Sequence, residues 1–303
     1  MHLNDVLVQM IKRDASDVHI TAETHLSFTI KQNIVSHKMD EGYENFVDET
    51  SAQVILEELT KTKSTISALY TPEEQDGGYM FTPHEGDKDY FFRYNVALSM
   101  GRIHITIRKL IDEILTLEQI QMNKGAPLSF YKEVMKCEEG LYLVVGSTGS
   151  GKSTTLATLI DEVLKKHALK MISLESPIEF YFKDEAYENS IIIQREVELD
   201  TKDFASGIRA AMRQNPKVIF VGEIRDPETA MASLQAANSG HTVFATLHAN
   251  SPEKALDRIK FLVGEITNDF SFIKAIMYQR LINIKGKITP KREVQFDFSE
   301  DEF

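Results

Sequence analysis

The chain has 303 residues, with 34 Lys and Arg against 46 Asp and Glu, a formal charge of −12, and is 42% apolar and 26% charged. The apolar fraction argues against overall disorder, and the length suits two folded domains, each with its own core. No run of about 18 apolar residues occurs, so no spanning helix is expected, and the single cysteine, Cys137, excludes an internal disulfide and a cysteine-built zinc site. Met1–Asp5 has no basic stretch ahead of an apolar run, so a secretory signal is not expected and a reducing cytoplasm is the expected home. The acidic balance argues against nucleic acid as a partner held through the global field.

Leu3, Val6, Leu7, Met10 and Ile11 share one helical face, which predicts a first helix. A strand is expected at 17–20, and a hairpin from 26–30 and 34–39 around Gln32-Asn33. Residues 48–69 read as helical, Gly77-Gly78 as punctuation, and 79–82, 90–98 and 102–110 as strands with a turn at Gly101. This is an α+β pattern, an antiparallel sheet with helices beside it. The character changes at 111–117, which places a boundary between a first domain, 1–112, and a second, 113–303.

Beyond it strands and helices alternate. Strands are expected at 141–145, 171–175, 218–222 and 242–248, and helices at 153–166, 203–213 and 227–239. Alternation implies a mostly parallel sheet covered by helices. The chain closes in an expected hairpin, 281–284 and 293–298 around Gly286, and an acidic tail.

The strongest motif is Gly146-Ser147-Thr148-Gly149-Ser150-Gly151-Lys152-Ser153, a complete phosphate-loop pattern followed by Thr154. An apolar strand precedes it and a helix-forming run follows. Glycines let successive N–H groups converge on phosphate oxygens, and the helix start adds partial positive charge. Lys152 is expected to reach the β- and γ-phosphates of ATP, and the Ser153 hydroxyl to ligate Mg²⁺.

Two further strands end on acids. Glu223 follows 218–222, at the sheet edge where ligands gather, and is placed either on Mg²⁺ or its water, or simply as a strand cap. Glu175 closes 171–175 and is either a second acid at that edge, orienting the attacking water, or a structural carboxylate. His241 and His248 flank another strand, seven residues apart with no third ligand nearby. Phosphate sensing and plain hydrogen bonding are both open for them. Arg209 and Arg213 share a helix face, either solvated or turned to a neighbouring subunit. For Arg93, Arg102 and Arg108, on strands of the first domain, a solvated face is the default.

Taken together, these blocks resemble the traffic ATPases of type IV pilus, type II and type IV secretion systems. Gly146–Ser153 matches their Walker A loop and Leu174–Glu179 their acidic box. Val218–Asp226 matches an atypical Walker B strand and Gly240–Asn250 a histidine box; Ala15–Ile20 resembles the family's opening. The short first domain is most like the compact pilus-retraction (PilT-like) members.

The resemblance implies a PAS-like first domain and a RecA-like P-loop second domain. It implies a homo-hexameric motor ATPase using ATP and Mg²⁺ to drive pilin movement. The expected place is the cytoplasmic face of an inner membrane, through a platform protein and without direct insertion. Glu175 becomes the water-activating acid, Glu223 the Walker B glutamate, and His241 and His248 the pair linking nucleotide state to the first domain. Arg93 and Arg108 become arginines reaching the nucleotide. Two departures stand out: Ser176 replaces the usual aspartate of the acidic box, and the Ala-Ile-Arg-Asn-Leu-Ile motif of retraction members is missing. A conjugation-type traffic ATPase and a non-hydrolysing nucleotide-binding ring component are the alternatives.

Overall fold

A computed structural model describes residues 1–31, 33–36, 45–60, 75–84, 88–110, 113–183, 186–264, 269–284 and 287–296. The chain divides into two compact units, Met1–Asp112 and Glu113–Phe303.

The first unit builds a sheet from β1 (Asp17–Thr21), β3 (Ser27–Ile30), β4 (Asn33–Ser36), β6 (Gln75–Phe81), β7 (Tyr90–Ser99) and β8 (Arg102–Lys109). The order is β4-β3-β1-β8-β7-β6, and neighbours run antiparallel. A short pair, β2 (Thr24–His25) and β5 (Phe46–Val47), sits beside it. Helices α1 (Leu3–Lys12) and α2 (Glu49–Thr60) bury Leu3, Val6, Leu7, Met10, Ile55 and Leu56 in one core with Val18, Phe28, Ile105 and Ile107. Each fully buried side chain of this kind stabilises by about 1.5–3 kcal/mol.

Strand alternation on β8 buries Ile103, Ile105 and Ile107 and leaves His104, Thr106 and Arg108 on the other face. Gly77-Gly78, expected as punctuation, lies inside β6: a side chain at Gly77 would overlap the Tyr94 ring, so the strand continues where only glycine fits. The expected helix continues to 69 in the sequence reading; 61–69 lie outside the described residues, as do 37–39 of the hairpin.

The second unit holds a seven-stranded sheet in the order β11-β10-β12-β13-β9-β14-β15. Its strands are β9 (Gly140–Val145), β10 (Lys170–Glu175), β11 (Ile191–Glu196), β12 (Val218–Ile224), β13 (Thr242–Leu247), β14 (Ile273–Ile284) and β15 (Lys287–Phe296). All neighbours are parallel except β14 and β15. Strands β9 and β13 are buried at every residue, which explains their unbroken apolar sequence. Leu141, Leu143 and Val145 face α5 (Phe204–Met212), α6 (Pro227–Asn238) and α7 (Pro252–Val263). Tyr142 and Val144 face α3 (Gly125–Val134) and α4 (Lys152–Lys166).

Helix starts are set by side-chain caps: Asp203 accepts from Ser206 N, Asp226 from Thr229 N, and Ser251 from Lys254 N, each worth about 1 kcal/mol. Four features depart from the sequence expectation. Helices α3 and α7 and the edge strand β11 were not among the predicted elements. The terminal hairpin is far longer than 281–284 with 293–298, because Ile273, Ala275, Ile276 and Met277 pack into the core ahead of it.

Candidate active site

Parallel pairing of β10, β12, β13 and β9 brings their carboxyl ends to one edge, where the loop following β9 lies. Gly146 opens that loop against β14; a side chain there would overlap the Gln279 carbonyl. Gly151, at φ 82°, caps α4 in a left-handed conformation that glycine adopts without strain. The cleft above the loop measures about 620 Å³, and Thr148, Gly149, Gly151, Lys152, Ser153 and Thr154 line it. Gly146, Ser147 and Ser150 are not among the residues lining it, and Ser150 is buried.

Lys152 Nζ donates to the carbonyls of Gly146 and Ser147, each at 3.0 Å, which holds the ammonium over the loop. Burial lowers its pKa, and the carboxylates of Glu223 and Glu179 pull it back up. Glu175 and Glu223 enter the same cleft from the neighbouring strands.

Glu175 is 5% exposed. Its Oε1 accepts from Ser173 Oγ at 2.6 Å and Gln194 Nε2 at 3.1 Å. Burial pushes its pKa up to about 7, with those two hydrogen bonds working against the rise and Glu179 adding to it. A carboxyl poised near neutrality beside a phosphate loop suits a general base.

Glu223 is an interior residue of β12, which runs on to Ile224 rather than stopping at Gly222. Its Oε2 accepts from Arg225 Nε at 2.6 Å. Gly222 permits close approach: a Cβ there would lie 3.2 Å from Glu175 Cα and 3.3 Å from the Leu174 carbonyl. His248, just past β13, bonds through Nε2 to Thr148 Oγ1 at 2.9 Å, joining the loop to the next strand tip.

The structure brings together the loop, Glu175, Glu223 and His248, and leaves His241 out. His241 precedes β13 at the opposite edge of the sheet, with Nδ1 against Ser239 Oγ and the Ala236 carbonyl, both at 3.1 Å. Within this chain His241 therefore lies away from the cleft: a residue at the amino end of a parallel strand is separated from the crevice by the strand's whole length. Arg93 and Arg108 belong to the first unit, facing one another across β7 and β8. Residues that sequence reading missed include Ser173, Gln194 and Arg225. Two more lie beneath the loop, Gln279 and Arg292. A polar Gln279 inside an apolar strand is a signal the sequence does carry; Arg292 has none.

Among the described residues no group of three or more His, Cys, Asp or Glu is arranged to hold a metal ion. A Mg²⁺ ion bound with nucleotide needs fewer protein ligands, because phosphates and waters complete its shell. Ser153 and Glu223, together in the cleft, fit that donor set.

A family model described as "Type II/IV secretion system protein" matches residues 1–297. The chain belongs to that family. This secretion-family chain is 31% identical to the uncharacterized protein YggR of Escherichia coli over 86% of its length and 73% of YggR. It is 38% identical to the type IV pilus retraction ATPase PilT of Pseudomonas aeruginosa, over 55% of this chain and 46% of PilT. Against a twitching motility protein of Neisseria gonorrhoeae the identity is 40%, over 55% of this chain and 43% of that protein. The chain thus aligns with about half the length of these two pilus proteins. Among solved structures, the pilus retraction motor PilT with bound ADP superposes with a TM-score of 0.82 at 31% identity, covering 99% of this chain and 84% of that one. The Legionella pneumophila ATPase DotB gives 0.73 at 27% identity, covering 98% and 81%. The second unit is accordingly a RecA-like P-loop domain of mixed α/β class.

Proposed function

We propose that the chain is a hexameric motor ATPase that hydrolyses ATP to drive pilin movement at the cytoplasmic base of a membrane machine. One observation carries the reading: Lys152 and Ser153 open into the same cleft as Glu175 and Glu223. The loop amides and Lys152 bind the phosphates, and Ser153 with Glu223 holds Mg²⁺, which when bound neutralises phosphate charge. The Glu175 carboxylate, its Oε1 held by Ser173 and Gln194, takes the proton of the attacking water. His248 reports the state of the loop through Thr148. The first unit, an antiparallel sheet packed against two helices, is the PAS-like domain, and it carries Arg93 and Arg108 on adjacent strands.

Likeness to a pilus retraction motor and a twitching motility protein supports pilin as the cargo, and an inner-membrane platform protein is the partner this reading calls for. No helix among the described residues is long and apolar enough to cross a membrane. Phosphate release should be measured across protein concentrations alongside size analysis. Activity that rises as hexamers form, depends on Mg²⁺ and is lost in Glu223→Gln supports the reading; full activity in a stable monomer contradicts the ring.

A further inference from the structure

Beneath the phosphate loop a chain of hydrogen bonds runs to the end of the terminal hairpin. Gln279 of β14 is 2% exposed. Its Nε2 donates to the Ser150 carbonyl at 2.6 Å. Its Oε1 accepts from Thr155 Oγ1 at 2.9 Å and from Arg292 Nε at 2.6 Å. One amide therefore holds both the loop and the first turn of α4.

Arg292, on β15, fans out over three segments. Nε reaches Gln279, Nη1 donates to the Ile120 carbonyl at 2.8 Å and the Gln121 carbonyl at 3.4 Å, and Nη2 reaches Thr155 Oγ1 at 3.4 Å. Among the described residues no carboxylate pairs with it. A half-buried guanidinium without an acid carries a desolvation cost that only its hydrogen bonds offset. Its planar fork suits this task, since fixed N–H directions tie several acceptors at once. Burial pushes its pKa down to about 10, so it stays charged at neutral pH. That charge lies against Thr155 in the first turn of α4.

The loop is fitted to this support. A Cβ at Gly151 would lie 2.9 Å from Gln279 Nε2, and one at Gly146 would overlap the Gln279 carbonyl. The glycines that shape the phosphate cradle are thus also the residues resting on Gln279.

We propose that Gln279 and Arg292 are positioning residues that set the phosphate loop from below and tie it to the turn at Ile120–Gln121. The assignment rests on reading 146–153 as a nucleotide site. Removing one charge-assisted hydrogen bond from the support is expected to change loop opening and nucleotide affinity by about tenfold. Gln279 and Arg292 bond to one another and share Thr155, so their losses are expected to be less than additive.

The test uses the full chain carrying Arg292→Met, Arg292→Lys, Gln279→Met or Gln279→Met with Arg292→Met, and Lys291→Met as an exposed neighbour. Amide hydrogen exchange is followed at 146–153 without nucleotide, and affinity is measured with a fluorescent N-methylanthraniloyl ATP and Mg²⁺. Arg292→Met is expected to speed loop exchange and weaken binding, each about tenfold, with the double variant losing less than the product of the two single effects. Arg292→Lys falls between, and Lys291→Met matches wild type. Unchanged loop exchange and affinity with only a lower unfolding temperature would overturn the proposal, as would additive losses. If Arg292→Met does not fold, Arg292→Lys decides on the same two readouts. Wild-type protein that binds no nucleotide would defeat the functional reading instead, while the exchange measurement still judges the positioning role.

Discussion

Thr148 and His248, a hundred residues apart in sequence, meet at 2.9 Å between Oγ1 and Nε2. The contact joins the tip of the phosphate loop to the carboxyl end of β13. Loss of either partner frees the loop from that strand. His248→Ala and Thr148→Ala are each expected to lower kcat by about tenfold, and the double variant should fall no further, since both remove one contact. Steady-state hydrolysis of the three variants checks this; additive losses would separate the two residues.

Glu175 makes the rate pH-dependent. A general base works when ionised, so activity is expected to rise with pH through about 7, the value to which burial pushes its carboxyl. Ser173 Oγ donates to the ionised form and holds the pKa down. Ser173→Ala therefore moves the acid limb of the kcat profile to higher pH, by about one unit for a hydrogen bond near 1.4 kcal/mol. A limb that stays in place would show that another group limits the rate.

The same burial costs stability. A carboxyl whose folded pKa lies above its unfolded value of 4.5 releases its proton more readily on unfolding, so stability falls as pH rises from about 4.5 to about 7. Glu175→Gln removes the ionisation. This variant is expected to unfold several degrees above wild type at pH 8.5 and at nearly the same temperature at pH 5. Thermal scans at the two values decide it, and a variant less stable at pH 8.5 would contradict the sign.

In the first unit Arg93 and Arg108 stand directly opposite on β7 and β8, an unfavourable like-charge pair. Arg108 Nε donates to Asp17 Oδ1 at 2.6 Å and Arg93 Nη2 to Asp76 Oδ1 at 3.5 Å, so each guanidinium has its own acid. Asp17 is buried, whereas Arg108 is 66% exposed, which weakens the pair's net value. Asp17→Asn is expected to destabilise the protein by about 1 kcal/mol in urea unfolding at pH 7, and Asp17→Asn with Arg108→Met to recover part of that. No recovery in the double variant would show that repulsion is not the cause.

Much of the architecture is legible because periodicity reports burial. The α1 stripe and the unbroken apolar runs of β9 and β13 follow from which faces are covered. The loop and its two acids are legible because parallel strands place their carboxyl ends at one edge. The edge strand β11 escapes because its half-exposed residues alternate weakly, and Gly77 misleads because its role depends on Tyr94, seventeen residues away. His241 misleads for a related reason: a seven-residue spacing says nothing about which end of a strand faces the crevice. Gln194 and Arg292 lie outside the motifs, and only tertiary pairing sets them against Glu175 and Gln279. Ser173, two residues before Glu175 on the same strand, shares its face and is the one supporting group that alternation could have found.

The most direct test is titration calorimetry of the folded full chain with ATP and Mg²⁺, beside Lys152→Ala. The account expects saturable binding by the wild type and at least a hundredfold weaker binding by the variant, because the ammonium over the loop meets the phosphates. Wild-type protein that gives no binding heat, or a variant that binds as tightly, would contradict it.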